Sequence, residues 1–135
     1  MKQFGLSKNE RIKKKKEISR VFYTGKRVYS NSRKLKAIFC FGEENSSVVK
    51  VAFAIHKKAG NAVWRNKLKR LLRVAYRLNK KKLTSVINDK TLLIVISSNT
   101  INKKEYPNLS LHDVEKDVIQ ILDKIQNNIS IRFIK

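Results

Sequence analysis

Lys57-Lys58-Ala59-Gly60-Asn61-Ala62-Val63-Trp64-Arg65-Asn66-Lys67-Leu68-Lys69-Arg70-Leu71-Leu72-Arg73 is the stretch on which the reading of this chain turns. Two lysines and a glycine make a loop able to approach phosphate. Asn61 follows as an N-cap, its side chain suited to accept from the free N–H groups of a first helical turn. From there to about Leu78 the apolar residues keep helical spacing. At about 100° per residue, Trp64, Leu68, Leu71, Leu72, Ala75 and Tyr76 share one arc. Asn66, Lys67, Lys69, Arg70, Arg73 and Arg77 share the opposite arc, with Arg65 near the boundary. Solvated helix faces usually interleave acids with bases, and this segment contains no acid. The expectation is a helix with a core face and a cationic face sized for nucleic acid.

Composition bounds the partner. Lys+Arg 32 against Asp+Glu 10 gives a formal charge of +22 on 135 residues. Such a charge repels itself in the folded chain and calls for a polyanion to neutralise it. Nucleic acid fits, because a basic domain gains affinity by releasing the counterions condensed on phosphates. A membrane surface fits less well: no apolar run approaches the roughly 18 residues of a spanning helix, and the opening residues carry no secretory apolar core. The expected setting is cytoplasmic, with no membrane partner. The single cysteine, Cys40, allows neither an internal disulfide nor a cysteine-rich metal site, and reads as a buried strand residue.

Hydrophobic residues make up 41% of the chain, enough for a real core, and with four glycines and one proline there is no linker or repeat to divide it. One domain is expected over 1–135, with the first ~8 residues flexible.

Outward from the central stretch, Ile18, Val21 and Phe22 repeat at i, i+3, i+4, a short amphipathic helix that Thr24-Gly25 stops. Leu35 to Phe41 and Val48 to Ile55 alternate like strands on either side of the polar Gly42-to-Ser47 loop, and are expected to pair as a hairpin. Leu35, Ala37, Phe39 and Phe41 then face one side with Val49, Val51, Phe53 and Ile55. The other side, with Lys36, Ile38, Cys40, Lys50, Ala52 and Ala54, is expected to form a shallow, partly basic floor: either a solvated face or a seat for an extended strand of nucleic acid. Thr91 to Ile96 is a short branched run, hence a buried strand, which a βαβ crossover would bring into the sheet. Ser110-Leu111-His112-Asp113 reads as a capping box opening a helix through about Gln126, with a core stripe of Leu111, Val114, Val118, Ile121, Leu122 and Ile125. The whole reads as α+β, with helices packed on one sheet face.

With those residues in place, the Lys-Lys-x-Gly-Asn-Ala-Val-x-Arg-Asn-x-x-Lys-Arg-Leu-x-Arg pattern of 57–73 closely resembles the signature of the bacterial ribonuclease P protein component. Phe22 with Thr24-Gly25, the paired strands, the third strand and the closing helix extend the likeness over most of the chain. The resemblance implies an α/β sandwich of the ribosomal protein S5 domain 2-like type, a four-stranded sheet with a left-handed βαβ crossover, the opposite of the usual handedness. It implies a partner, the catalytic ribonuclease P RNA with its Mg²⁺, a substrate, precursor tRNA, whose 5′ leader is removed, and no obligate protein partner. By the same resemblance, Lys57, Lys58, Asn61, Arg65, Asn66, Lys69, Arg70 and Arg73 would meet the RNA. Phe22, Lys36, Ile38 and Lys50 would line a leader-binding cleft between the first helix and the sheet. Two positions depart from the pattern: Ile18 stands where the family often has a second aromatic, and His56 where a small hydroxyl residue is common.

The chemistry of these residue types agrees with that division. Arg binds phosphate in a bidentate fork, Asn can bridge backbone and ribose hydroxyls, and Phe offers a stacking surface indifferent to base identity. No catalytic constellation stands out: His56 and His112 are far apart in the chain with no acid pair beside either, and Glu43-Glu44 reads as a solvated turn. Cleavage is therefore expected in the RNA. The competing readings are a ribosomal-type structural RNA-binding protein with no part in tRNA processing and, behind it, a duplex-DNA binder.

Overall fold

Leu35–Phe41 (β2) and Val49–Ala54 (β3) are both strands, yet they do not pair with each other. A computed structural model, which describes residues 8–43, 46–85, 87 and 90–134, places Leu92–Ser98 (β4) between them. β4 runs antiparallel to β2, with Ile38 opposite Val95, and parallel to β3, with Val51 opposite Ile94. A further strand, Lys26–Tyr29 (β1), pairs antiparallel with the other edge of β2, giving the order β1-β2-β4-β3. The expected hairpin is thus corrected, and the reason lies in β4: every one of its residues is buried, and only a central strand covered on both faces achieves that.

The four-stranded mixed sheet and its helices make the chain α+β, as expected. The helices are Lys15–Thr24 (α1), Ala62–Asn79 (α2), the single turn Lys81–Thr84 (α3) and Leu111–Ile134 (α4). α2 lies in the crossover between the parallel strands β3 and β4, and it packs against α4.

Strand alternation builds two cores. Leu35, Ala37, Phe39, Val49, Val51, Leu92, Ile94 and Ile96 face α2 and α4, which contribute Trp64, Leu68, Leu72, Tyr76, Val118, Ile121, Leu122 and Ile125. Fully burying each such aliphatic side chain is worth about 1.5–3 kcal/mol. The opposite face carries a smaller cluster, Ile38, Leu93 and Val95 under Val21 of α1 and Ile12, with Ile18, Cys40 and Ala52 at its margin. Helices therefore cover both faces, not one. The sheet floor expected to lie open is roofed in part by α1.

Local chemistry explains the helix ends. Asn61 Oδ1 accepts from the Trp64 N–H at 2.9 Å, the expected N-cap. At α4 the Ser110 N–H donates to Asp113 Oδ2 at 2.8 Å, while the Asp113 N–H turns to the Ser110 carbonyl at 3.0 Å; the reciprocal half of the capping box is replaced by a backbone bond. Gly25 ends α1 as expected, with an extended backbone (φ −75°, ψ 155°) and its N–H donating to the Val21 carbonyl. Its small size matters because a Cβ there would sit 2.3 Å from Ile38 Cγ2 and 2.3 Å from the Val21 carbonyl oxygen.

The first ~8 residues, expected to be flexible, lie outside the described residues apart from Lys8, which opens a 3-10 turn, Lys8–Glu10. Glu44 also lies outside them. Glu43 reaches Arg20 Nη1 at 3.4 Å, bracing the base of α1 against the end of β2.

Candidate nucleic-acid interface

α2 divides as its periodicity predicts. Trp64, Leu68, Leu72, Ala75 and Tyr76 are buried, and Asn66, Lys67 and Arg70 are exposed. Arg65, Lys69, Arg73 and Arg77 lie half-buried along the flanks. Among the described residues, none of the cations from Arg65 to Arg77 forms an ion pair. The carboxylates go elsewhere: Glu10 to Lys80 at 2.7 Å, Glu17 to Lys50 at 3.2 Å, Asp117 to Lys34 at 3.8 Å and Asp123 to Lys82 at 2.9 Å. A ridge of uncompensated positive charge on a rigid helix is left facing outward. Arg65 Nε is buried without a hydrogen-bond partner among the described residues.

At the N-terminal end of the ridge, Lys57 and Lys58 lie exposed on a 3-10 turn, Lys57–Ala59, and Asn61 is exposed beside them while capping α2. The His56 N–H donates to Ser98 Oγ at 2.9 Å, so His56 serves here to end β3 against β4. The eight residues expected to meet RNA thus form one continuous surface of loop and helix.

Near the middle of the ridge the structure adds a residue that sequence reasoning missed. The Ile12 N–H donates to the Val51 carbonyl at 3.1 Å, laying the N-terminal segment along the free edge of β3. Arg11 consequently joins Lys69 and Arg73 around a cavity of about 180 Å³ floored by Val51, Ala52 and Phe53. Ile12, the lone apolar residue in a run of cations, was the signal that this segment docks.

The leader-cleft residues fare less uniformly. Phe22 is 51% exposed on α1, with Tyr23 beside it at 89%, so its ring is an accessible aromatic surface. Ile38 is 5% exposed, sealed beneath α1, and supports the floor from within. Lys50 is held by Glu17 and is nearly buried, so its charge serves to dock α1 on β3. Lys36 remains half-exposed on the same sheet face, in a cross-strand row that registers Tyr29, Lys36, Ser97 and Ala54 just beyond the α1 cluster. Tyr29 and Lys36 are half-buried in that row and Ala54 is exposed, while Ser97 between them is buried. Tyr29, which sequence reasoning passed over because β1 was not recognised, carries the Arg33 guanidinium 4.7 Å from its ring centre.

Among the described residues, no three His, Cys, Asp or Glu side chains gather as a metal site, and no helix is long and apolar enough to cross a membrane.

Sandwich, crossover helix and uncompensated ridge together define a class: a small α+β protein built to lie against a polyanion. Within that class the chain belongs to the ribonuclease P protein family, whose model, described as Ribonuclease P, matches residues 6–126. It is 37% identical over 120 residues to the ribonuclease P protein component of Clostridium novyi, covering 88% of this chain and 96% of that protein. To the ribonuclease P protein component of Listeria monocytogenes it is 31% identical over 117 residues, covering 87% and 88%. Among solved structures, the RNase P protein from Thermotoga maritima superposes with a TM-score of 0.66 at 23% identity over 85% of this chain and 96% of that one. The Staphylococcus aureus RNase P protein gives 0.58 at 24% over 90% and 92%. These likenesses bear on the fold. Membership of the family makes the chain the protein part of an endoribonuclease that also contains RNA.

Proposed function

We propose that the chain binds the catalytic RNA of ribonuclease P through Lys57, Lys58, Asn61, Arg65, Asn66, Lys69, Arg70 and Arg73. In the same reading it holds the 5′ leader of precursor tRNA along the Tyr29–Lys36 margin of the sheet, just beyond the α1 cluster. The observation that carries this reading is the ridge itself: cations from Arg65 to Arg77 without one carboxylate partner among the described residues.

The division of labour follows from the side chains. Lysines and arginines on a preformed helix neutralise phosphates without a backbone ordering cost at the moment of binding, and Arg adds bidentate geometry. Phe22, exposed on α1, stacks on a leader base irrespective of its identity; Lys36 supplies the nearby charge, and Tyr29 replaces Ile38 and Lys50 as a lining residue. In this reading Mg²⁺ and the bond-breaking step belong to the RNA; among the described residues no carboxylate cluster gathers to hold a metal. The protein's contribution is to lower the phosphate repulsion that opposes both metal and substrate. It acts as a single domain in the cytoplasm, without an obligate protein partner.

The test is reconstitution. Purified protein added to ribonuclease P RNA should restore leader removal at Mg²⁺ concentrations where RNA alone is inactive. No gain over RNA alone, with tight binding to ribosomal RNA in its place, would replace this reading by that of a ribosomal-type binding protein.

A further inference from the structure

The turn Asn102–Tyr106, between β4 and α4, is bound to the signature segment at two points, one in its loop and one in the first turn of α2. The Lys103 N–H donates to the Ala59 carbonyl at 2.8 Å, and the Trp64 indole Nε1–H donates to the Tyr106 carbonyl at 2.8 Å. The turn is also fixed internally: the Glu105 N–H donates to Asn102 Oδ1 at 2.9 Å, the Tyr106 N–H to the Asn102 carbonyl at 3.0 Å, and Asn102 Nδ2 holds the Glu105 carboxylate at 2.8 Å. Gly60 permits the contact. A Cβ at that position would come 2.7 Å from Trp64 Cε3 and 3.1 Å from Lys103 Cβ.

The consequence is electrostatic. Lys103 and Lys104 are exposed, and their turn abuts the one that carries the exposed Lys57 and Lys58. Among the described residues none of the four has a carboxylate partner, although Glu105 is adjacent in sequence; its carboxylate accepts from Asn102 Nδ2. The partial positive charge at the N-terminus of α2 adds to theirs. Like charges are brought together by specific hydrogen bonds on a preformed surface that extends off the end of the ridge.

We infer that the Asn102–Tyr106 turn is a second RNA-binding element, in which Lys103 and Lys104 join Lys57 and Lys58 to grip the phosphate backbone where it passes the N-terminus of α2. The inference rests on the reading that the ridge binds ribonuclease P RNA, and it lengthens that footprint by a segment remote in sequence. Ordering of the turn before binding spares the backbone entropy that fixing a mobile loop on contact would cost.

The experiment measures affinity for ribonuclease P RNA as a function of salt for the full chain, for Lys103→Gln/Lys104→Gln, and for Lys69→Gln/Arg70→Gln on the ridge. Removing two phosphate contacts should make the log–log salt slope shallower by roughly 1.4–1.8 and weaken binding at least about threefold at 0.15 M salt. Asn102→Ala, which loosens the turn and keeps both lysines, should weaken binding with the slope unchanged. If the ridge variant shows the loss and the turn variant matches wild type in slope and affinity, the turn is not an RNA contact. If the unmodified chain does not bind this RNA, the underlying reading fails and the inference with it. Acetylation mapping gives an independent readout: RNA should protect Lys103 and Lys104 together with Lys57 and Lys58, and equal labelling with and without RNA would overturn the assignment.

Discussion

Lys50 Nζ lies 3.2 Å from Glu17 Oε2, an ion pair between β3 and α1 in which only 13% and 14% of the two side chains remain exposed. Removing one partner costs the other the charge-assisted contact that offsets its poor solvation. Glu17→Gln is therefore expected to cost roughly 1–3 kcal/mol, less than a fully buried pair because some water still reaches it. Lys50→Ala should destabilise similarly in urea unfolding. At matched folded fraction it should change affinity for leader-bearing precursor tRNA less than about twofold. A large, selective loss of leader affinity would return Lys50 to the cleft.

Phe22 makes the opposite case. With half its surface exposed on α1, it contributes little to the core, so Phe22→Ala should shift stability by less than about 1 kcal/mol. Stacking on a base is worth roughly 1–3 kcal/mol. The variant should accordingly bind leader-bearing precursor about five- to a hundredfold more weakly in the presence of the RNA subunit, and mature tRNA unchanged. Equal losses for both RNAs would assign Phe22 a packing role.

These two residues also show where a sequence reading reaches and where it stops. α2 and α4 were legible because each buries one stripe at helical spacing, and that pattern survives any arrangement of neighbours. The alternation of β2 and β3 was equally legible, and it placed Ile38 and Phe39 on opposite faces correctly. Pairing was not. Chain neighbours separated by a short loop usually pair, and nothing in 35–55 reveals that β4, some forty residues later, will come between them. β1 escaped notice because Lys26-Arg27-Val28-Tyr29 buries a single residue, Val28. The roofing of the second face depends on Ile12 and Ile18, two apolar residues amid lysines, whose meaning is set by tertiary docking alone. The shared face of the ridge cations, by contrast, follows from helical spacing within one segment, whereas Arg11, Tyr29 and the Lys103–Lys104 turn take their places beside the proposed surfaces only when distant segments meet.

Arg70 is exposed and Arg65 half-buried on the ridge, and neither has a carboxylate partner among the described residues. Arg70→Ala should leave thermal stability within about 0.5 kcal/mol. In salt titrations with ribonuclease P RNA, each of Arg65→Ala and Arg70→Ala should reduce the log–log slope by about 0.7–0.9 if it contacts one phosphate. Weaker binding with an unaltered slope would mean that the side chain orders the helix surface without touching phosphate.

Tyr76 gives a prediction independent of RNA. Its side chain is fully buried, edge-on to Phe53 at 6.2 Å between ring centres, and its hydroxyl has no hydrogen-bond partner among the described residues. Burial, reinforced by the negative charge of Glu10, raises the phenol well above its ordinary value of 10.0. The unfolded chain loses this proton near pH 10 while the folded chain keeps it. Above that pH the unfolded state binds fewer protons, and stability falls as pH rises, by up to about 1.4 kcal/mol per unit. Below it the group adds no pH dependence. Tyr76→Phe keeps the ring and removes the unpaired hydroxyl, so it should raise stability at neutral pH by about 1 kcal/mol. It should also make the alkaline decline shallower than in wild type, with lysine titration common to both proteins. Urea unfolding of the pair at about pH 7 and about pH 11 decides the matter: a variant less stable than wild type at neutral pH would show that water satisfies the hydroxyl in the folded protein.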